Sequence, residues 1–313
     1  MNSGLSHLDA VEDNGAFMIL LVWTLAALSL LGVGSNSPAA ATVDSVAVSR
    51  GEYVFNAAGC FGCHTDEKNK GQPLAGGRAL QTPFGTFYAP NITPDPATGI
   101  GKWRAEDLAR ALREGRAPDG SHYYPALPYT AYTKMTDQDV ADLWAYLSSR
   151  PSVARANTPH DLSFPYNLRF GLVVWKFFNF KPGALPVEPA RDTQWQRGRY
   201  LVEALGHCAE CHTERNFLGG LKTDRWMAGS PNGAEGDPTP NITPHPSVGM
   251  GQWDAADIAY MFKTGSMPEG DSLGASMAEV VEYGTSKLRD ADLAAMAAYL
   301  KSLPAIASRP KGR

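Results

Sequence analysis

Apolar residues recur at helical spacing in two pairs of stretches. Residues 103–114 place Leu108, Ala111 and Leu112 on one face and stop at Gly115, and residues 253–264 stop in the same way at Gly265. Residues 136–147 turn Val140, Leu143, Trp144 and Leu147 toward a core. Thr136 stands as N-cap, Asp137 and Asp139 fill the first turn, and Pro151 closes the stretch. Leu293, Met296, Ala297 and Leu300 repeat that face ahead of Pro304. A further short helix is predicted from Arg50 to Gly59. Two stretches depart from the amphipathic pattern. AFMILLVWTLAALSLLGVG (16–34) is almost wholly apolar and would cover roughly 28 Å as a helix, close to the thickness of a bilayer's hydrocarbon layer. FGLVVWKFFNF (170–180) is too short to span.

The helical pairs belong to a longer repeat. RGEY at 50–53 returns as RGRY at 197–200, offset by 147 residues. NITPDPATGIGKW at 91–103 returns as NITPHPSVGMGQW at 241–253, offset by 150. KMTDQDVADLWAYLSSRP at 134–151 returns as KLRDADLAAMAAYLKSLP at 287–304, offset by 153. Three landmarks in one order with slowly drifting offsets mean two copies of one domain with small loop insertions. The expected division is an apolar N-terminal segment (1–43), a first domain (44–150), a Pro-rich linker (151–195) and a second domain (196–313). The apolar part of the linker is read as interdomain packing, with a docking surface for a partner or membrane as the sharper alternative.

Composition narrows the function classes. The 313 residues carry a net charge of −4 with no basic stripe, which excludes a nucleic-acid partner. Residues 1–43 fit either a membrane anchor or a secretory signal cleaved after Ala39-Ala40-Ala41, though the usual basic leader is missing. Either reading exports the remainder. No nucleotide loop, Ser-His-Asp spacing or metal-binding His pair is visible, so no catalytic residue is assigned.

All four cysteines lie in CFGCH (60–64) and CAECH (208–212), at matching positions of the two copies. Two thiols three residues apart can bond to the two vinyl groups of one haem while the adjacent histidine reaches its iron. Zinc would need both motifs in one site, and a thioredoxin-like pair would need a βαβ context. The expected cofactors are therefore two haem c, with Cys60 and Cys63 holding the first, Cys208 and Cys211 the second, and His64 and His212 as axial ligands. Asn91, Thr93, Asn241 and Thr243 are candidate donors to haem propionates. His160 and His245 read as solvated loop residues.

The passages RGEY…CFGCH, TPFGTFYAPNITPDPATGIG, YPALPYTAY and SMAEVVEYGTSKLRDADL resemble the multihaem cytochrome c subunit of bacterial membrane-bound alcohol, gluconate and aldehyde dehydrogenases. The resemblance covers nearly all of residues 50–304. It implies a mainly α fold of two tandem class-I-like cytochrome c domains, with short helices and long loops around covalently bound haem, plus the N-terminal apolar helix. It implies electron transfer from a catalytic dehydrogenase subunit to a quinone, an oxidase or a soluble cytochrome, on the periplasmic side of the bacterial inner membrane. Such subunits carry three haem domains, and this sequence shows two copies.

The resemblance also places the sixth iron ligands. In the second copy the family's axial methionine falls on Met277, and Met267 is the weaker competitor. In the first copy the family's YPAMPY is YPALPY, so Leu127 stands at the ligand position and cannot bind iron. Met135, where the repeat has Leu288, and His122 are candidate substitutes; an open or water-bound iron is the third possibility. The open iron motivates an alternative function, a dihaem enzyme acting on peroxide or a sulfur compound.

Overall fold

The computed structural model describes residues 44–233 and 236–307; the apolar segment 1–43 lies outside them. Among the described residues no helix is long and apolar enough to cross a membrane. The chain is mainly helical, as the periodicity predicts. The first copy contains α1 (Ser45–Ala57), α2 (Cys60–His64), α3 (Ala105–Glu114), α4 (Tyr129–Tyr132) and α5 (Asp137–Ser148). After α6 (Gly171–Asn179) the second copy follows with α7 (Thr193–Tyr200), α8 (Ala209–His212), α9 (Ala255–Thr264), α10 (Ala275–Tyr283) and α11 (Asp290–Lys301). The local signals act where the sequence puts them. The Thr136 hydroxyl accepts from Asp139 N at 3.1 Å to start α5. Gly115 (φ +60°) and Gly265 (φ +78°) end α3 and α9 in the left-handed region that a side chain would strain.

Within each copy the first and last helices cross at a glycine. A Cβ on Gly51 would stand 1.9 Å from the Asp142 carbonyl oxygen of α5, and one on Gly198 would stand 1.9 Å from that of Ala295 in α11. This contact explains why glycine follows arginine in both RGxY motifs. The neighbouring arginines lock the crossings: Arg50 forks onto Asp142 at 2.7 and 2.8 Å, and Arg197 onto Asp292 at 2.9 and 3.0 Å. Val54, Leu108, Leu143 and Leu147 of the first copy share one continuous core with Leu201, Ile258, Leu293 and Leu300 of the second.

The two copies also clasp each other reciprocally. The Tyr53 hydroxyl donates to Asp292 and accepts from Arg289 N at 3.3 Å, at the start of α11. The Tyr200 hydroxyl donates to Asp139 and accepts from Thr136 N at 3.1 Å, at the start of α5. Each RGxY tyrosine thus caps the last helix of the other copy. Burial pushes the Asp292 carboxyl up, but the bonds from Arg197, Tyr53 and Arg289 outweigh it and hold Asp292 well below the usual carboxylate range. A carboxylate depressed on folding stabilises above its unfolded pKa of about 3.9 and loses that contribution as pH falls through its folded value. Asp292→Asn is therefore expected to lower the melting temperature at neutral pH and to flatten its decline below about pH 4, as followed by thermal unfolding across pH. Tyr53→Phe and Tyr200→Phe should each cost about 1.5–3 kcal/mol in denaturant titrations, the range for a hydrogen bond to a charged group.

Two features lie outside the sequence expectation. Residues 79–82 and 85–88 form an antiparallel hairpin, β1 (Ala79–Thr82) and β2 (Gly85–Tyr88), to which β3 (Asp161–Leu162) adds, with Gly85 opposite Leu162. The stretch 151–195 therefore folds back over the first copy. Its helix α6 buries Leu172 against Phe87, Tyr124 and Leu162.

Candidate functional site

Both CxxCH motifs sit on a single helical turn directly after the first long helix of their copy. Gly59 (φ +62°) releases the chain from α1 into α2, and His207 (φ +40°) makes the corresponding bend ahead of α8. The turns are anchored alike from behind. His64 O accepts from Gly76 N, and His212 O from Gly229 N, both at 2.8 Å. The hydroxyl of the following threonine accepts from Leu74 N at 3.1 Å in the first copy and from Met227 N at 2.9 Å in the second. The four cysteines, all among the described residues, form no disulfide. Burial pushes the thiols of Cys60 and Cys208 up to about 12, so without a bound group both are protonated at neutral pH.

The histidines carry the decisive geometry. His64 Nδ1 lies 2.8 Å from the Pro90 carbonyl oxygen, and His212 Nδ1 lies 2.9 Å from that of Pro240. A carbonyl can only accept, so Nδ1 carries the proton and Nε2 presents its lone pair. Burial lowers both imidazole pKa values against the opposing pull of those carbonyls, which keeps the rings neutral. A neutral imidazole oriented through Nδ1, with paired thiols beside it, fits the demands of a covalently attached haem.

The loops that follow α3 and α9 make the same bonds at matching positions as far as residues 123 and 273. Tyr123 N donates to Gly115 O at 2.8 Å, and Leu273 N donates to Gly265 O at 2.8 Å. Arg116 bridges His122 as Ser266 bridges Ser272. Leu127 lies in the turn before α4 and Met277 within α10, and both side chains pack partly buried against the core. Met135 is a core residue, 3% exposed, at the position where Leu288 is 2% exposed. Their backbones match too, with Met135 N donating to Tyr132 O and Leu288 N to Thr285 O. His122 has a buried Nδ1 with no hydrogen-bond partner among the described residues, and its ring lies near Lys176 of α6 and Arg116. Met267 is held in a tight turn by its bond to Asp271 O at 2.8 Å.

The attachment turns of the two copies approach one another. The Ala58 carbonyl, two residues before Cys60, accepts from Tyr132 OH at 2.9 Å and also faces the His207 ring. Tyr132 and His207 meet edge to face with centroids 5.5 Å apart. Helix α10, which carries Met277, packs on α2 through the Tyr283–Phe61 ring pair at 4.8 Å, and Arg78 ties Glu279 to the Gly62 carbonyl. In return Thr130 of α4 donates to Glu210 of α8. Each ligand loop is thus braced by the other copy's attachment turn.

Two sequence expectations are corrected. Asn91 and Thr93 do not turn outward as propionate donors. Asn91 Nδ2 donates to Val153 O at 2.7 Å, and Thr93 Oγ1 donates to Asn91 Oδ1 and accepts from Val153 N at 3.2 Å. Asn241 and Thr243 hold Ile306 by the same bonds. The repeated NIT clamps the segment leaving the last helix of its copy, because a buried amide must spend its hydrogen bonds locally. His160 is not solvated: its Nδ1 accepts from Tyr88 N at 3.2 Å, and its ring packs on Phe87 and Tyr124. The sequence signal missed for the clamp was that Val153 and Ile306 share the 153-residue offset of the last helices.

The comparisons with known proteins agree with this duplication. The cytochrome c family model matches twice, over residues 48–151 and 195–304. A diheme cytochrome c-type protein of Cereibacter sphaeroides is 49% identical over 261 residues, covering 82% of this chain and 86% of that one. The fructose dehydrogenase cytochrome subunit of Gluconobacter japonicus is 40% identical over 88% of this chain and 58% of its own length. The cytochrome c subunit of alcohol dehydrogenase (quinone) from Gluconobacter oxydans is 37% identical over 93% of this chain and 61% of its own. The chain therefore spans about three fifths of those two dehydrogenase subunits.

Proposed function

The chain belongs to the cytochrome c family, and from that premise we propose that it is a dihaem electron carrier serving a partner dehydrogenase. Two haem c are its cofactors. Residues 44–150 hold the first and residues 196–313 the second, with 151–195 between them. Cys60 and Cys63 attach the first haem and Cys208 and Cys211 the second, with His64 and His212 as proximal ligands. When bound, haem supplies reversible one-electron chemistry at its iron. The chain's own residues do the rest. The Pro90 and Pro240 carbonyls fix the imidazoles, and Tyr132 and His207 join the two attachment turns.

Met277 is the sixth ligand of the second haem in this reading. A thioether opposite histidine raises the potential of an iron and fills its last position, which suits transfer rather than substrate binding. The first haem lacks a protein thioether. Leu127 stands where the resemblance places the axial methionine, Met135 is committed to the core, and His122 sits beside the cations Arg116 and Lys176. Met277→Leu is accordingly expected to abolish the sulfur-to-iron charge-transfer absorption and to lower one midpoint potential while leaving the other in place, as read by spectroelectrochemical titration.

The relatives that are dehydrogenase cytochrome subunits support a dehydrogenase as electron donor, and a quinone, an oxidase or a soluble cytochrome as acceptor. Residues 1–43 would export the carrier to the periplasmic side of the membrane and anchor it there if retained. The observation that carries the proposal is the twin His–carbonyl arrangement beside paired thiols, repeated in both copies. The test is reduction of both haems by whatever dehydrogenase co-purifies from membranes. Rapid turnover of a small substrate by the purified chain alone, with an artificial acceptor, would contradict it.

A further inference from the structure

Helix α6 is amphipathic the wrong way round for a protein interior. Its polar residues face inward. Lys176 Nζ donates to the Glu114 and Gly115 carbonyls at the end of α3, at 2.6 and 2.8 Å. Trp175 Nε1 donates to Leu218 O of the second copy at 2.8 Å, so the helix is fixed to both copies. Apart from Leu172, its aliphatic and Phe side chains face outward. Phe170, Val173, Val174, Phe177 and Phe178, spaced i, i+3, i+4, i+7 and i+8, are between 55% and 83% exposed. An outward stripe of this kind on a rigidly seated helix marks an interaction face rather than scattered surface residues.

Charge identifies the occupant. From Leu162 to Val187 the chain carries Arg169, Lys176 and Lys181 and no acidic residue, although the whole chain has a net charge of −4. Lys176 is turned inward, so the exposed apolar face has the exposed cations Arg169 and Lys181 at its two ends, and such a face complements a surface that is apolar within and anionic at its rim. The geometry points to α6 as an in-plane membrane contact, laying its Phe/Val face into the headgroup boundary of an anionic phospholipid bilayer. This contact goes beyond the proposed carrier function and needs neither the haems nor residues 1–43. It would set the first copy's ligand loop close to the membrane surface, because Lys176 grips the end of α3 and Arg169 donates to His122 O at 3.0 Å.

The test uses the full-length holoprotein with a nitroxide on Phe178→Cys, and a second sample labelled on Tyr260→Cys, a position 59% exposed on α9. Both are reconstituted with vesicles of phosphatidylethanolamine and phosphatidylglycerol, and collisions with oxygen and with a water-soluble nickel complex are measured by power saturation. An unchanged haem absorption spectrum shows that each variant is folded. The expected result is a reversal at position 178 on adding vesicles, from nickel-accessible to oxygen-accessible, with no reversal at 260. Phe170→Ser together with Phe177→Ser should abolish that reversal. A label at 178 that stays as nickel-accessible as the one at 260 would overturn the inference. Shielding that appears only when the partner dehydrogenase is added would also overturn it, in favour of a protein occupant.

Discussion

Leu127→Met is expected to give the first haem a thioether ligand and so erase the difference between the two copies. The resemblance places the axial methionine at Leu127, four residues after the Tyr123–Gly115 bond, as Met277 stands four residues after the matching Leu273–Gly265 bond. The substitution conserves volume, so its folding cost should stay under about 1.5 kcal/mol. In a redox titration the lower of two midpoint potentials should rise toward the higher. Carbon monoxide and cyanide, which the unmodified protein should bind at one haem, should no longer compete for either. Met135→Leu is the matching control. A core methionine in Leu288's position should change stability slightly and spectra not at all, and loss of a low-spin signal would instead identify Met135 as the ligand.

Gly198→Ala should damage the second copy far more than its single added methyl suggests. The new Cβ would press to 1.9 Å from the Ala295 carbonyl oxygen, a backbone atom that cannot swing away. Separating α7 from α11 would also pull Arg197 from Asp292 and open the shared core at Leu201 and Leu293. A destabilisation of about 3 kcal/mol or more is expected, at the high end for overpacking because a buried ion pair is strained as well. Gly51→Ala should do the same through Asp142. Because the tyrosine clasp and the core join the copies, each variant should unfold the pair in one transition. Two well-separated calorimetric transitions would show instead that the copies fold independently.

The sequence made some of this plain and hid the rest for identifiable reasons. The helices and their ends were legible because Thr136, Gly115, Gly265 and Pro151 act over one turn of chain. The duplication and the haem-binding motifs were legible because both copies kept the same spacing. The clasp was not. An offset shows that Tyr53 matches Tyr200, but not that each reaches across to the other copy's aspartate. The NIT loops misled because a polar pair near a cofactor invites a cofactor role, whereas Asn91 and Asn241 are spent on Val153 and Ile306. In α6 the pattern was read correctly as apolar and short, but pattern alone cannot tell which face points inward.

The central claim is that two near-identical attachment sites carry differently ligated haems. Electron paramagnetic resonance of the fully oxidised, unmodified protein tests it most directly. One low-spin and one high-spin ferric species in equal amounts, the high-spin one shifting on addition of cyanide, is the predicted spectrum. Two low-spin species, both unmoved by cyanide, would contradict it.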